Sequence, residues 1–378
     1  WINTAYSNES GNKNIPAIVA ENVRARSEDF YVQGNISLDV EVLNGLTWEN
    51  RGGGNFDAFK FSDFRPVVPI YYYSDMSYST RLDVGVPGFD TRRTDNAYLV
   101  YYSQLNFKRT FNEHSVSALA GYQQEYNKGS EISAGRLEYN TNELKELNAG
   151  PSPGMWNKGL SAEWAIRSFY GNLNYDYQDK YLFGSSLRYD GTSRLPSDTR
   201  WGLFYSFSAG WRISKQAFLQ NVSWLNDLKL RGSWGRLGNQ NIGLYPYQST
   251  LTPRDYSFGG NVMPGYGASK IVDPMLTWET TQVLDLGFDL TVLDNKLNLT
   301  FDWFNKNTFD ILRQAQAPLW LGMEAPIIND GSVRNKGVEL GLQYRGNISK
   351  ELNFVAGVNV QAYKNALEKY GKREIIGN

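Results

Sequence analysis

The clearest signal in the chain is an alternation of apolar and polar positions with a period of two. From Trp278 to Leu290 one parity carries Trp278, Thr280, Gln282, Leu284, Leu286, Phe288 and Leu290. The other carries Glu279, Thr281, Val283, Asp285, Gly287 and Asp289. Every charge falls on one side, which marks a β-strand with one apolar face, because a helix would repeat every 3.6 residues. After Asp294-Asn295-Lys296 the pattern resumes, with Leu297, Leu299, Phe301 and Trp303 sharing a face, so the two segments predict a hairpin. The same design recurs in 183–189, 205–213, 228–234 and 338–345, and about 12 strands are expected in all.

Strand length narrows the architecture. Strands of soluble sandwiches run to about 5–6 residues, whereas the alternation here persists for roughly 10–13. About 10 residues, tilted near 45°, are what a strand needs to cross the hydrocarbon layer of a membrane. Tyr175, Tyr177, Tyr181 and Trp211 sit near strand ends, where an interfacial aromatic girdle would lie. The connections alternate too. Short ones are expected near Asn44 and at 112–114, 178–180, 294–296 and 347–349, with a longer turn at 215–226. Long polar stretches fall at 52–95, 127–165, 191–200, 236–276 and 311–334. Short turns on one side and long loops on the other are the asymmetry of outer-membrane barrels, whose long loops are extracellular. The expected fold class is therefore all-β, a transmembrane antiparallel β-barrel, with residues 1–378 forming a portion of a single barrel. A soluble lectin-like or carbohydrase β fold is the alternative that the pattern alone leaves open.

Composition supports the all-β reading and removes several chemistries. Among 378 residues, 15% are aromatic and 36 are Gly, the mixture expected of strands punctuated by turns. The mean hydropathy of -0.49 hides the membrane signal, because strand hydrophobicity alternates. No window approaches 18 consecutive apolar residues, so no transmembrane helix is expected. A net charge of -1 offers no broad basic surface for nucleic acid. Cysteine is absent, which removes disulfides, thiolate metal sites and cysteine nucleophiles. The sequence begins at Trp1 without a signal segment or an initiator Met. It ends on 372–378 rather than on an apolar strand, so further strands are expected beyond it.

One stretch is more specific than any periodicity. Leu187-Arg188-Tyr189-Asp190-Gly191-Thr192-Ser193-Arg194 is followed by Gly210-Trp211-Arg212-Ile213-Ser214 and Ala217-Phe218-Leu219. Then come Leu228-Lys229-Leu230-Arg231-Gly232-Ser233-Trp234-Gly235, Gly238-Asn239, Leu276-Thr277-Trp278-Glu279-Thr280-Thr281 and Val333-Arg334-Asn335-Lys336-Gly337-Val338-Glu339. In order and spacing these blocks resemble the SusC/RagA family of TonB-dependent outer-membrane transporters over roughly residues 95–362. The resemblance implies a barrel of about 22 strands around a plug, coupling to the TonB complex through that plug, and a SusD-like surface lipoprotein as partner. It implies active import of oligosaccharides or oligopeptides across the bacterial outer membrane, whose lipids surround the barrel. This sequence carries no recognisable plug or TonB box, so no energy-coupling residue is assigned. A non-transporting barrel, either a passive porin or an adhesin platform, is the competing class.

No catalytic, metal or cofactor site is expected. His114 is the only histidine and is placed in an exposed short turn, where a hydrolase would need it oriented beside a nucleophile. Glu143 with Glu146, and Asp285 with Asp289, read as surface and pore-lining carboxylates rather than as a glycosidase pair. Gly52-Gly53-Gly54 and Gly235-Arg236-Leu237-Gly238 read as loop starts. Lumen-facing Arg188, Arg212, Lys229 and Arg231 are expected to pair with carboxylates of the plug or of neighbouring strands. The candidate substrate-binding residues are aromatic: Trp156, Trp164, Tyr245, Tyr247 and Trp320, with Tyr256 and Tyr266, all placed in the long loops. A flat ring there can stack on a sugar or on a peptide side chain. The competing reading is that these rings pack loops against one another or against the lipoprotein.

Overall fold

The computed structural model describes residues 2–3, 25–67, 69–72, 75–81, 86–349 and 351–371. Its main feature is a 12-stranded antiparallel sheet. The strands are β1 Arg26–Leu43, β2 Leu46–Arg65, β3 Gly88–Phe111, β4 His114–Leu137, β5 Trp156–Tyr177, β6 Tyr181–Thr192, β7 Trp201–Arg212, β8 Leu225–Asn239, β9 Glu279–Val292, β10 Leu297–Phe309, β11 Ser332–Asn347 and β12 Asn353–Lys369. Each strand pairs with the next in sequence, so the sheet is a meander without crossovers. The expected count of about 12 strands is borne out. No helix among the described residues is long and apolar enough to cross a membrane.

Alternation divides the two faces of this sheet as the pattern requires. One row of register partners runs Tyr181, Trp211, Leu230, Phe288, Phe301, Leu340 and Val360 across seven strands. Leu230 is 41% exposed and Leu286, in the adjacent row, is 49% exposed. A continuous apolar surface of this kind is stable only against hydrocarbon or another apolar surface. The opposite face is charged and internally neutralised. Arg231 donates to Asp289 at 3.1 Å and to Asp302 at 2.7 Å, with Asp285 3.6 Å away. Lys229 lies 2.9 Å from Asp289, and Arg188 lies 2.8 Å from Asp190. Arg212 lies 2.5 Å from Asp179 and 3.3 Å from Asp227. All four expected lumen-facing cations therefore have carboxylate partners, on a neighbouring strand or turn for Arg212, Lys229 and Arg231 and on the same strand for Arg188.

The strands are longer than the alternation suggested, from 12 residues in β6 and β7 to 24 in β3 and β4. This shortens the connections. The stretch read as a loop over 52–95 includes the end of β2 and the start of β3, and that over 127–165 includes the end of β4 and the start of β5. The observed long connections are 66–87, 138–155, 193–200, 240–278 and 310–331. The physical reason is that about 10 residues span the hydrocarbon, so the remainder of a 24-residue strand extends beyond it, where neither face has to be apolar throughout. It then has no reason to alternate. Gly52-Gly53-Gly54 and Gly235-Arg236-Leu237-Gly238 accordingly lie inside β2 and β8 and not at loop starts. A Cβ at Gly238 would collide with the Phe204 ring, so Gly is required there by close approach.

The chain forms two compact units, Trp1–Asn35 with Gly53–Leu99 and Tyr126–Glu163, and Ile36–Gly52 with Val100–Glu125 and Trp164–Asn378. In the first, Tyr139 is buried edge-on against Phe64, with ring centroids 5.6 Å apart, and its hydroxyl donates to the Glu146 carbonyl. Asn142 mimics a strand by accepting from the Val67 amide at 2.7 Å and donating to its carbonyl at 2.6 Å. Glu143 and Glu146 are exposed on this connection. The connection continues into a 3-10 turn at Leu147–Ala149.

In the second unit the short turns carry left-handed backbone. Gln178 and Asp179 have φ of 57° and 51°, and the Lys180 amide closes the turn on the Tyr177 carbonyl. Lys215 and Arg212 both approach Asp179, and the Lys215 contact holds its carboxyl below the usual carboxylate range. Leu293, at φ 57°, is the poorest fit to such a conformation, because its Cβ crowds the backbone. Leu293→Gly is therefore expected to stabilise the protein by about 1 kcal/mol. The denaturant midpoint of folding into phospholipid vesicles measures this, and an unchanged or lower midpoint would refute the strain.

Candidate functional site

At the loop end of β6 to β11, three connections close over a small apolar core. Leu195 and Leu276 are fully buried, and Phe204, Ile242 and Trp278 pack around them, with Leu312 and Ile327 alongside. Leu195 ends the segment Asp190-Gly191-Thr192-Ser193-Arg194-Leu195, which is tied to its surroundings by several bonds. The Ser193 amide donates to the Ala165 carbonyl, and the Ser193 hydroxyl accepts from the Ala165 amide. Arg194 donates to the Ile242 carbonyl and stacks its guanidinium 5.4 Å from the Trp164 ring centre. Desolvation there lowers the guanidinium's affinity for its proton, although it remains charged at any physiological pH.

Further bonds bring the connections together. The Thr199 hydroxyl donates to the Leu276 carbonyl, and the Trp278 indole N–H donates to the Arg200 carbonyl at 2.9 Å. Asn329 clamps Thr277 by accepting from its amide at 2.7 Å and donating to its carbonyl at 2.9 Å. Arg313 is paired with Asp330 and lies over the Tyr370 ring. Beyond this ordered ring, an antiparallel hairpin of Leu251–Phe258 and Asn261–Ala268 carries Tyr256, Phe258 and Tyr266 exposed.

The five aromatic candidates divide among different surroundings. Trp156 and Trp164 were expected in a loop and instead lie on β5. Trp156 is 38% exposed, and its indole closes against Gly135. Trp164 lies under Arg194, while Tyr247 donates its hydroxyl to the Ser193 carbonyl at 3.3 Å. These two therefore meet the same segment, and both help to hold it. Tyr245 is half-buried with φ 53°, and its carbonyl accepts from Lys270 at 3.1 Å. Trp320, 84% exposed on the turn Leu319–Leu321, is the one with a freely presented face. Trp164 and Tyr247 thus fit the loop-packing reading, and Trp320 fits the ligand-stacking one.

Sequence reasoning missed Leu195, Phe204 and Leu276 as the parts that order the rim. Trp278 had been assigned to the same face as Leu286, but it is 7% exposed against Phe204. Among the described residues, no group of three or more His, Asp or Glu side chains has the geometry of a metal site. His114 is exposed and begins β4, with Nδ1 2.7 Å from the Tyr175 hydroxyl and its ring over Tyr177. That makes it part of an aromatic cluster with Tyr175 and Tyr177.

Comparison with known proteins agrees with this geometry. The family described as TonB dependent receptor-like, beta-barrel matches residues 2–375. The chain belongs to that family. It is an outer-membrane β-barrel chain, and the resemblance to SusC and RagA proteins is borne out. It is 27% identical to the TonB-dependent receptor SusC of Bacteroides thetaiotaomicron, over 98% of this chain and 36% of that protein. It is also 27% identical to TonB-dependent receptor P3 of Formosa agariphila, over 93% of this chain and 34% of that protein. Among solved structures, the RagAB peptide importer in its 'closed-closed' state matches with a TM-score of 0.80 and 25% identity. That match covers 92% of this chain and 37% of the other. The chain thus spans about a third of the length of the curated relatives it matches.

Proposed function

We propose that the protein containing this chain is an active outer-membrane importer of oligosaccharides or oligopeptides, driven through TonB and working with a SusD-like surface lipoprotein. The observation that carries this reading is the combination of an apolar row facing outward and an ion-paired row facing the other way. Both lie on one meander of the TonB-receptor family, which ends in an ordered loop rim. A charged, hydrogen-bonded inner wall suits a hydrated conduit. Similarity to SusC and to the RagAB peptide importer supports the cargo classes. A passive porin or adhesin platform is the reading to beat, and it needs neither energy nor a plug.

Uptake of the cognate nutrient in the native host, with and without TonB function, separates the two. Import that stops without TonB supports the importer, whereas uptake indifferent to TonB supports the passive barrel. Replacing Trp156, Trp164, Tyr247 and Trp320 together with Ala is expected to weaken capture by roughly tenfold or more, given ~0.5–1.5 kcal/mol for each lost stacking contact. Surface assembly, checked by antibody access to intact cells, should persist. Trp320→Ala alone isolates the ligand contribution, because that ring is not part of the rim core. Normal capture by both variants would dismiss the aromatics and shift specificity to the sheet's inner wall or to the lipoprotein.

A further inference from the structure

The connections at the loop end form an open pocket of about 450 Å3, lined by 241–244, Pro246, 270–271, 312–314, 324–325 and Ile327. This lies within the ~300–1,000 Å3 of typical small-molecule sites. Its floor is aliphatic, formed by Ile242, Ile271, Leu312 and Ile327, and it continues the rim core. Among the described residues, no aromatic residue lines it. Three charged side chains reach it. Arg313 is committed to Asp330 and Tyr370. Lys270 and Glu324 are different. They are partners in a parallel β-bridge, yet neither belongs to an ion pair among the described residues. Lys270 gives one hydrogen bond to the Tyr245 carbonyl, which leaves two of its three donors unspent. The cavity therefore offers one free cation, one free anion and an aliphatic floor between ordered walls.

We infer that this cavity binds a zwitterionic di- or tripeptide carrying aliphatic side chains. The peptide carboxylate meets Lys270, its ammonium group meets Glu324, and a side chain lies on Ile242, Ile271 and Ile327. A neutral sugar matches the site poorly, because its apolar ring face calls for a flat aromatic partner and its hydroxyls leave both charges unmatched. The inference deepens the import reading by naming a substrate class, and rests on that reading for the ligand's fate but not for its binding.

The test uses the full-length protein in detergent and isothermal titration with three probes: tri-leucine, the same peptide N-acetylated and C-amidated, and maltotriose. Tri-leucine is expected to bind, and blocking both ends should weaken it by at least about tenfold, the scale of one charge-assisted hydrogen bond. Lys270→Gln and Glu324→Gln should weaken free tri-leucine similarly while leaving the blocked peptide unchanged. Ala325→Trp, which fills the cavity, should abolish binding of both peptides. Thermal unfolding of each variant controls for misfolding. Equal binding of free and blocked peptide, binding indifferent to the two charge variants, failure of tri-leucine to bind, or preference for maltotriose would each overturn the inference. TonB-dependent uptake in cells is read separately. Peptide binding without energised import would remove the import reading and leave this site, whereas import with no peptide binding at the cavity would do the reverse.

Discussion

Leu286→Arg is expected to destabilise the sheet in a bilayer by about 2–4 kcal/mol, the cost of a guanidinium at a lipid-facing position near the midplane. Leu286 sits mid-strand in β9, where its register partners Gly232 and Trp303 continue a row through Val338 to Ala362. No carboxylate occupies that row, so an introduced Arg has no partner there. Its long stem can snorkel toward an interface, which sets the lower end of the range. Asp285→Arg, one residue away, points to the other face, where Asp289 and Asp302 can still neutralise added positive charge. It is expected to cost less despite the change of two charge units. Leu230→Arg should behave like Leu286→Arg, because Leu230 shares the apolar parity. The measurement is denaturant titration of folding into phospholipid vesicles, followed by Trp fluorescence. Equal midpoints for Leu286→Arg and wild type would show that the apolar rows do not face lipid.

The same physics explains which parts of the fold were legible in the sequence. In β9 and β10 one face meets an apolar medium and the other a polar one, so every second residue is constrained and the pattern survives in one sequence. In β2 and β5 the outer ends of the strands carry polar residues on both parities, as in Ser62-Asp63 or Asn157-Lys158. Backbone pairing and contacts to residues distant in sequence, such as Phe64 with Tyr139, hold those ends, and neither leaves a period-two mark. They consequently read as loop, and Trp156 and Trp164 were placed with them.

The rim was hidden for a different reason. A period of two states which residues share a side but not what covers that side. Trp278 and Leu286 have the same parity, yet one is enclosed by Phe204, Leu195 and Leu276 while the other is exposed. Family resemblance picked out 187–194 and 276–281 as blocks, without revealing that residues 195–200, which follow the first, meet the second. Their contact depends on bonds between residues far apart in sequence, such as Thr199 with Leu276 and Trp278 with Arg200. Gly238 gave no usable signal either, since the need for a missing Cβ is visible only once Phe204 is seen to occupy the space.

Trp278→Ala tests whether that core organises the rim. Removing a buried Trp typically costs about 3–5 kcal/mol through lost burial and the cavity left behind. Here it would also remove one of the two donors to the Arg200 carbonyl, leaving the Thr192 amide, and strip Phe204 of its edge-on partner, whose centroid lies 5.2 Å away at an interplanar angle of 69°. The loss should be local. Trp278 precedes β9, whose register with β8 and β10 does not depend on it, so the sheet should remain folded while the connections loosen. Hydrogen exchange on the full-length protein in detergent should show lost protection across 193–200 and 240–248, with strand amides of β9 to β11 unchanged. Trp278→Phe keeps a ring against Phe204 and gives up the indole hydrogen bond, so it should cost only about 1 kcal/mol. If Trp278→Ala left rim exchange at the wild-type rate, the five buried residues would be bystanders. If it unfolded the strands as well, rim and sheet would form one cooperative unit, and the rim could not open without the barrel. Selective loosening is the outcome that a capture surface needs, because loops that rearrange around cargo must be drawn from the less stable part of the fold.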